Sequence, residues 1–129
     1  DLMDVLWSEG VGAVRVAGSG ATGKPSADLI AAGAGGLAVI EVKTSKTDRI
    51  YIRREEIESL KKLAEAMRGR PVVAVRFSKL RRGFLILDLE DLSDMGATFR
   101  ITVDEALKRG EDVRTFALKL SGRLRELKA

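Results

Sequence analysis

Asp28, Glu41 and Lys43 are the residues of this chain whose types and spacing suit chemistry. Asp28 opens an apolar run over residues 28–32, and Glu41-Val42-Lys43 closes a second over residues 37–43, with Gly33-Ala34-Gly35-Gly36 between them. Apolar, partly β-branched segments around a glycine-rich turn predict an antiparallel hairpin. With Ala34 and Gly35 as the two-residue tip, Asp28 falls directly opposite Glu41, and opposed side chains share a face with Cβ atoms roughly 5 Å apart. Alternation puts Lys43 on that face as well. Two carboxylates brought together repel one another, so the cluster calls for a cation. Two acids and an ammonium beside apolar strands form the layout of a divalent-metal nuclease centre. A bulge or a one-residue slip would turn Asp28 to the other face and break this geometry.

Each residue also has a plainer reading. Alone, Glu41 and Lys43 read equally well as a same-face salt bridge on a solvated sheet, worth at most ~1 kcal/mol. Alone, Asp28 reads as a loop cap after Pro25. The convergence of all three favours the metal centre.

Composition narrows the chemistry. The 129 residues suffice for one domain with a real hydrophobic core, and 45% are apolar and 33% charged. With no cysteine there is no disulfide or thiolate, and with no histidine the usual general base and soft-metal ligand are missing. A metal site here is oxygen-rich and suited to magnesium or manganese. Asn and Gln are also absent, a composition resembling that of heat-selected proteins. The net charge of +4 mildly favours a polyanionic partner. No apolar run approaches the ~20 residues of a membrane span, and Asp1 opens no signal-peptide pattern, so no membrane association and a cytoplasmic location are expected.

The elements that must position the cluster follow from periodicity. Residues 1–10 read as the end of a helix stopped by Gly10 and entered without an upstream cap, so residues before Asp1 are expected to be missing. A strand is predicted over residues 12–17, a flexible loop over 18–25, then the hairpin, a polar connector over 44–49 and a short extended piece over 50–52. Ile57, Leu60, Leu63, Ala64 and Met67 stripe a helix over residues 54–68, stopped by Gly69. Strands follow over 71–77 and 84–88, a weaker one over 97–103, and an amphipathic helix over 113–127. Trp7 is expected to pack against the sheet, and Tyr51, Phe77, Phe84, Phe99 and Phe116 read as core residues. A central mixed sheet flanked by helices, an α/β fold, is the natural arrangement of these layers.

Several segments together resemble one family. Val14-Arg15-Val16-Ala17-Gly18-Ser19, the loop bearing Gly23 and Lys24, Pro25-Ser26-Ala27-Asp28-Leu29-Ile30-Ala31, Ile40-Glu41-Val42-Lys43 and Ile50-Tyr51-Ile52-Arg53-Arg54-Glu55 are similar to archaeal-type Holliday junction resolvases, within the PD-(D/E)xK nuclease superfamily. The resemblance runs from near Asp1 to about Asp88. It implies a restriction-endonuclease-like nuclease fold over one domain, residues 1–129, and a homodimer that binds four-way junction DNA and nicks two opposed strands. Asp28 and Glu41 match the metal-binding carboxylates, Lys43 the lysine that assists attack, Ser19 a loop serine important in the family, and Arg15 a basic residue beside the active centre. One departure is evident. The family carries a further acid in a first-helix stretch resembling Glu-Arg-Glu-Leu, whose end Asp1-Leu2 matches, so that acid would precede this chain, and Glu9 lies too late to replace it.

The expected reaction is phosphodiester hydrolysis with Mg2+, Mn2+ substituting. The backbone carbonyl of Val42 is a further candidate ligand, and Lys43 would stabilise charge growing on the phosphoryl oxygens. Lys24 lies in a loop that either contacts DNA or simply connects; it is no P-loop, because Gly-Lys is followed by Pro25. Lys46, Arg49, Arg53 and Arg54 form a basic stretch bordering the acids, a candidate DNA track that Lys79, Arg81 and Arg82 either extend or leave as a plain basic turn. The helix over residues 54–68 and the strands over 72–77 and 84–87 are candidate dimer surfaces. Accessory recombination proteins are compatible partners. Another superfamily nuclease of repair or restriction type, and a catalytically idle DNA-binding subunit, stay open as alternatives.

Overall fold

The computed structural model describes residues 1–17 and 23–123. In chain order the elements are α1 (Leu2–Ser8), β1 (Gly12–Arg15), β2 (Leu29–Gly33), β3 (Gly36–Ser45), β4 (Arg49–Arg53), α2 (Arg54–Ala66), β5 (Arg70–Phe77), β6 (Leu85–Asp88), β7 (Ser93–Asp94), β8 (Thr98–Thr102), α3 (Val103–Arg109), β9 (Glu111–Asp112) and α4 (Val113–Ser121). The hairpin of β2 and β3 turns at Ala34 and Gly35 and pairs Gly33 with Gly36 through Leu29 with Ile40, the register the glycine-rich turn predicts.

Six strands form the central sheet in the order β1-β2-β3-β5-β6-β9. It is mixed: β3 and β5 run parallel, and its other neighbours are antiparallel. A parallel partner requires a crossover, here made through β4 and α2. Side chains divide between the two faces by strict alternation. Ala38, Ile40, Val72, Ala74 and Ile86 meet Leu2 and Leu6 of α1 and Phe116, Ala117 and Leu120 of α4. Val39, Val73, Val75, Leu85 and Leu87 meet Ile57, Leu60 and Ala64 of α2. A strand covered on both sides reads as a continuous apolar run, which explains Pro71-Val72-Val73-Ala74-Val75.

The extended piece around Ile50 belongs to a second sheet of three strands, β4-β8-β7. Ile50, Ile52 and Ile101 close it onto the α2 face of the central sheet. Helix α3 falls where the sequence suggested only a strand end. It is short and anchored by Ala106 alone among its buried residues, too little for a periodicity signal. Its legible mark is the capping box of Thr102 and Glu105.

Other expectations need correction. Helix α1 is not uncapped: the Asp1 side chain accepts the Asp4 N–H at 3.0 Å. Helix α2 ends before Gly69, with Arg68 taking the left-handed conformation (φ 54°), and Gly69 is glycine because a β-carbon there would strike Leu37. Phe77 and Phe116 are core residues, but Phe84 and Phe99 are half-buried and Tyr51 is exposed. Trp7 is also exposed; its Nε1 donates to the Ala13 carbonyl at 3.1 Å, placing it at the edge of β1. The strands over 72–77 and 84–87 are mostly buried inside the sheet, with Arg76 exposed and Phe84 half-buried. The closing helix is described to Ser121, and Leu124 and Leu127 lie outside the described residues. Among the described residues no helix is long and apolar enough to cross a membrane.

The hairpin tip is locked against α4. Gly35 N–H donates to the Leu120 carbonyl at 2.7 Å, and a β-carbon on Gly35 would collide with the Lys119 carbonyl. Gly35→Ala is therefore expected to lower stability by about 1–3 kcal/mol, the usual cost of overpacking, read from urea unfolding midpoints. An unchanged midpoint would mean that the tip does not seat on α4.

Candidate active site

Asp28 sits where the hairpin ladder breaks. A straight continuation past Leu29 and Ile40 would pair Asp28 with Glu41. Instead the Asp28 N–H donates to the Ile40 carbonyl at 3.0 Å, one residue short of that partner. On its other side the Asp28 carbonyl accepts the Val16 N–H at 2.9 Å, in register with β1. This is the offset a bulge produces, and bulges re-aim side chains. The Asp28 carboxylate takes the place of the missing backbone acceptor, with Oδ2 receiving the Val42 N–H at 2.8 Å. The expected direct opposition of Asp28 and Glu41 is thus corrected in detail. The offset does not separate the acids: both line one shallow pocket of about 290 Å³ with Ser26, Ala27, Arg53, Glu55, Glu56 and Ser59.

Glu41 follows Val39 on the α2 face of β3 and is only 8% exposed, the one buried charged side chain among the described residues. Burial, followed by the charge of Asp28, pushes its carboxyl up to about 8, with Lys43 acting in the opposite direction. Lys43 shares the face: its Nζ lies 2.8 Å from Glu56 Oε2 and 3.9 Å from Glu41 Oε2. Burial disfavours ionised Glu56, but hydrogen bonding and charge from Lys43, with the Arg53 N–H, outweigh it and hold Glu56 below its ordinary range. A protonated Glu41 and an ionised Glu56 are mutually consistent, since a hydrogen bond between them raises the first and lowers the second.

Glu56 was not among the residues singled out from sequence. Its signal was positional: it is the third residue of α2, where its side chain reaches back to the Arg53 N–H at 3.3 Å, the place for a capping acid. Ser59, one turn further on, accepts the Ser26 N–H at 2.7 Å and so ties the segment leading into Asp28 to α2. Among the described residues no three acidic, histidine or cysteine side chains form a complete metal cage. What the site offers is an all-oxygen pair, Asp28 and Glu41, with the Val42 backbone between them.

The basic residues divide. Arg53 is exposed and lines the pocket, and Lys46 is exposed in the connector after β3. Arg49 is exposed with its Nε 3.2 Å from Asp48 Oδ1. Arg54 pairs with Asp94, donates to the Gly96 carbonyl at 2.6 Å and lies 4.6 Å over the Phe99 ring. Arg15 pairs with Leu29, whose side chain enters the α1/α4 core, so Arg15 emerges on that side of the sheet rather than beside the acids. Lys24 is exposed, and Ser19 lies outside the described residues. A larger groove of about 830 Å³ lies away from the carboxylate pair, between α1, the β5–β6 turn and the start of α4, and it takes in Arg81 and Arg82.

Comparison with known proteins bears on this geometry. A family model described as archaeal Holliday junction resolvase (Hjc) matches residues 1–122. The chain is 36% identical over 78 residues to the crossover junction endodeoxyribonuclease Hjc of Methanocaldococcus jannaschii, covering 60% of this chain and 55% of that protein. It is 33% identical over 84 residues to the enzyme of the same name from Archaeoglobus fulgidus, covering 65% and 62%. The matched segments therefore span less than two thirds of the length of either curated relative. The solved structure of Archaeoglobus fulgidus Hjc, a Holliday junction resolvase, superposes with a TM-score of 0.80 at 26% identity, over 91% of this chain and 97% of that one. The fold is accordingly the restriction-endonuclease-like one.

The raised Glu41 carboxyl has a consequence for stability. Between about 4.5 and about 8 the folded chain retains a proton that the unfolded chain has released. Folding stability from this group is greatest below the unfolded value and falls as pH rises through the folded one. Urea unfolding of metal-free protein is expected to show stability declining from pH 5 to pH 8, with a flatter profile for Glu41→Gln. A slope of the same size in that variant would refute the assignment.

Proposed function

The chain belongs to the archaeal Holliday junction resolvase family, and from that premise we propose that it is a structure-selective endodeoxyribonuclease that resolves four-way DNA junctions by phosphodiester hydrolysis. The observation that carries this reading is that Asp28 and Glu41 line one pocket at the end of the hairpin, with Lys43 Nζ 3.9 Å from Glu41 Oε2.

The donor set fits a hard divalent cation. Both acids offer oxygen only, and burial with the charge of Asp28 raises the Glu41 carboxyl, a cost that a cation bound between the two would offset. We assign Mg2+, with Mn2+ as substitute, to Asp28, Glu41 and the Val42 carbonyl, where it would polarise the scissile phosphate and lower the pKa of water. The protein's own groups do the rest. Asp28 is oriented by the Val42 N–H, and Lys43 is held by Glu56, close enough to Glu41 to face the phosphate and stabilise charge as it grows there. With no imidazole in the chain, a pocket carboxylate or a phosphate oxygen accepts the water proton.

Lys24, Lys46, Arg49, Arg53 and Arg54 are the proposed DNA contacts on the acid side of the sheet, Arg15 is a further one on its opposite face, and Ser19 is proposed as a catalytic residue. Such contacts read backbone rather than sequence and weaken steeply with salt. Two opposed nicks need two centres, which supports a twofold homodimer. A single nuclease domain acting in the cytoplasm, with accessory recombination proteins as further partners, completes the reading.

The test uses a synthetic four-way junction, a linear duplex and a flap, each with and without Mg2+. Paired nicks confined to the junction support the proposal. Equal cutting of linear duplex points to a different nuclease of the superfamily, and tight binding without cutting to an idle subunit. Asp28→Asn and Glu41→Gln are expected to abolish cleavage on denaturing gels while mobility shifts show junction binding retained. Lys43→Ala is expected to slow single-turnover cleavage by about 10²-fold, the scale for losing one charge-stabilising group; normal turnover by any of the three would remove that residue from the site.

A further inference from the structure

Tyr51 stands 52% exposed at the middle of β4, whereas its neighbours Ile50 and Ile52 are buried. Alternation puts Arg49 and Arg53 on the same outward face, one on each side of the ring. Across the small sheet Tyr51 pairs with Arg100. Arginines lie over the rings of Phe99, Phe116 and Phe84, but among the described residues none covers Tyr51.

The charges around it are already partly answered. Arg49 lies 3.2 Å from Asp48, Arg53 3.6 Å from Glu56, and Arg100 3.9 Å from Glu105. The unanswered group on this face is therefore aromatic. Arg53 also lines the carboxylate pocket, and Tyr51 lies two residues along the same strand from Arg53, roughly 7 Å at strand spacing. Bases inside a duplex are stacked and hidden, and a tyrosine face gains nothing from phosphate. A planar group fits it only when released from the stack, and an open ring flanked by guanidinium groups is how proteins receive such bases.

On the nuclease reading above, we propose that Tyr51 is a stacking platform for a base unstacked beside the phosphate held at Asp28, Glu41 and Lys43. The β4 face thereby adds recognition of interrupted stacking, which a branch point offers and continuous duplex does not.

The test is fluorescence anisotropy in EDTA, with the full chain titrated into a four-way junction, a linear duplex and an oligothymidylate single strand. Tyr51→Ala is expected to weaken binding to junction and single strand by about tenfold, within the range for one base–aromatic stack, with duplex binding unchanged. Tyr51→Phe and Tyr51→Trp should restore affinity to within about threefold of the parent, since the ring and not the hydroxyl is the contact. The proposal is overturned if Tyr51→Ala binds all three as the parent does, or loses duplex affinity equally. It is also overturned if Tyr51→Phe fails as Tyr51→Ala does, or if sedimentation shows Tyr51→Ala splitting a dimer, which would make the face a subunit contact. If the parent itself neither prefers nor nicks the junction, the junction reading falls, and the single-strand titration still decides the platform.

Discussion

The structure is arranged around one unfavourable juxtaposition, the buried Glu41 carboxyl held beside Asp28 at a cost that raises its pKa to about 8. Left to themselves these groups would separate or take up water. They stay together because each is fixed by covalent and hydrogen-bonded neighbours that have little freedom to move. Glu41 belongs to the most thoroughly buried strand pair of the sheet, between Ile40 and Val42 and beside Val73. Asp28 is clamped between β1 and β3 by Val16, Ile40 and Val42. The cost of burying Glu41 beside Asp28 is thus carried by the packing of two apolar cores.

Those cores also define the register on which the site depends. Slipping β2 by one residue would exchange Leu29 and Ala31 with Ile30, moving the α1/α4 core residues to the opposite face. The tip adds a second restraint, since Gly35 bonds to the end of α4 and leaves no room there for a side chain. Helix α2 then closes the site from the other face. Glu56 grips Lys43 and Ser59 grips Ser26, so the helix positions both the ammonium and the approach to Asp28. One helix therefore couples the burial of Ile57, Leu60 and Ala64 to the geometry of the pocket.

Much of this was legible in the chain because it is local. The hairpin follows from four residues of turn and the apolar runs beside them, and Glu41 and Lys43 share a face because strand alternation has a period of two. Helix α2 announces itself by its stripe, and the oxygen-only donor set by the absence of histidine and cysteine. The family resemblance rested on the same local segments and is matched by the family comparison over residues 1–122.

Tertiary structure decided what depends on residues distant in number. The offset at Asp28 arises where β1 and β3 both compete for one residue's backbone groups, and no property of residues 28–41 alone announces it. The second sheet exists because β4 finds β8 some fifty positions later, and that pairing turns Tyr51 outward when its composition suggested core. Arg54 of the basic stretch meets Asp94 and Phe99, which β8 and its turn bring alongside. Sequence determined which groups could act and which strand faces they occupy, since those follow from bond geometry and periodicity. Only folding decided which of them meet, because those contacts join segments whose mutual positions are set by burial of the whole core.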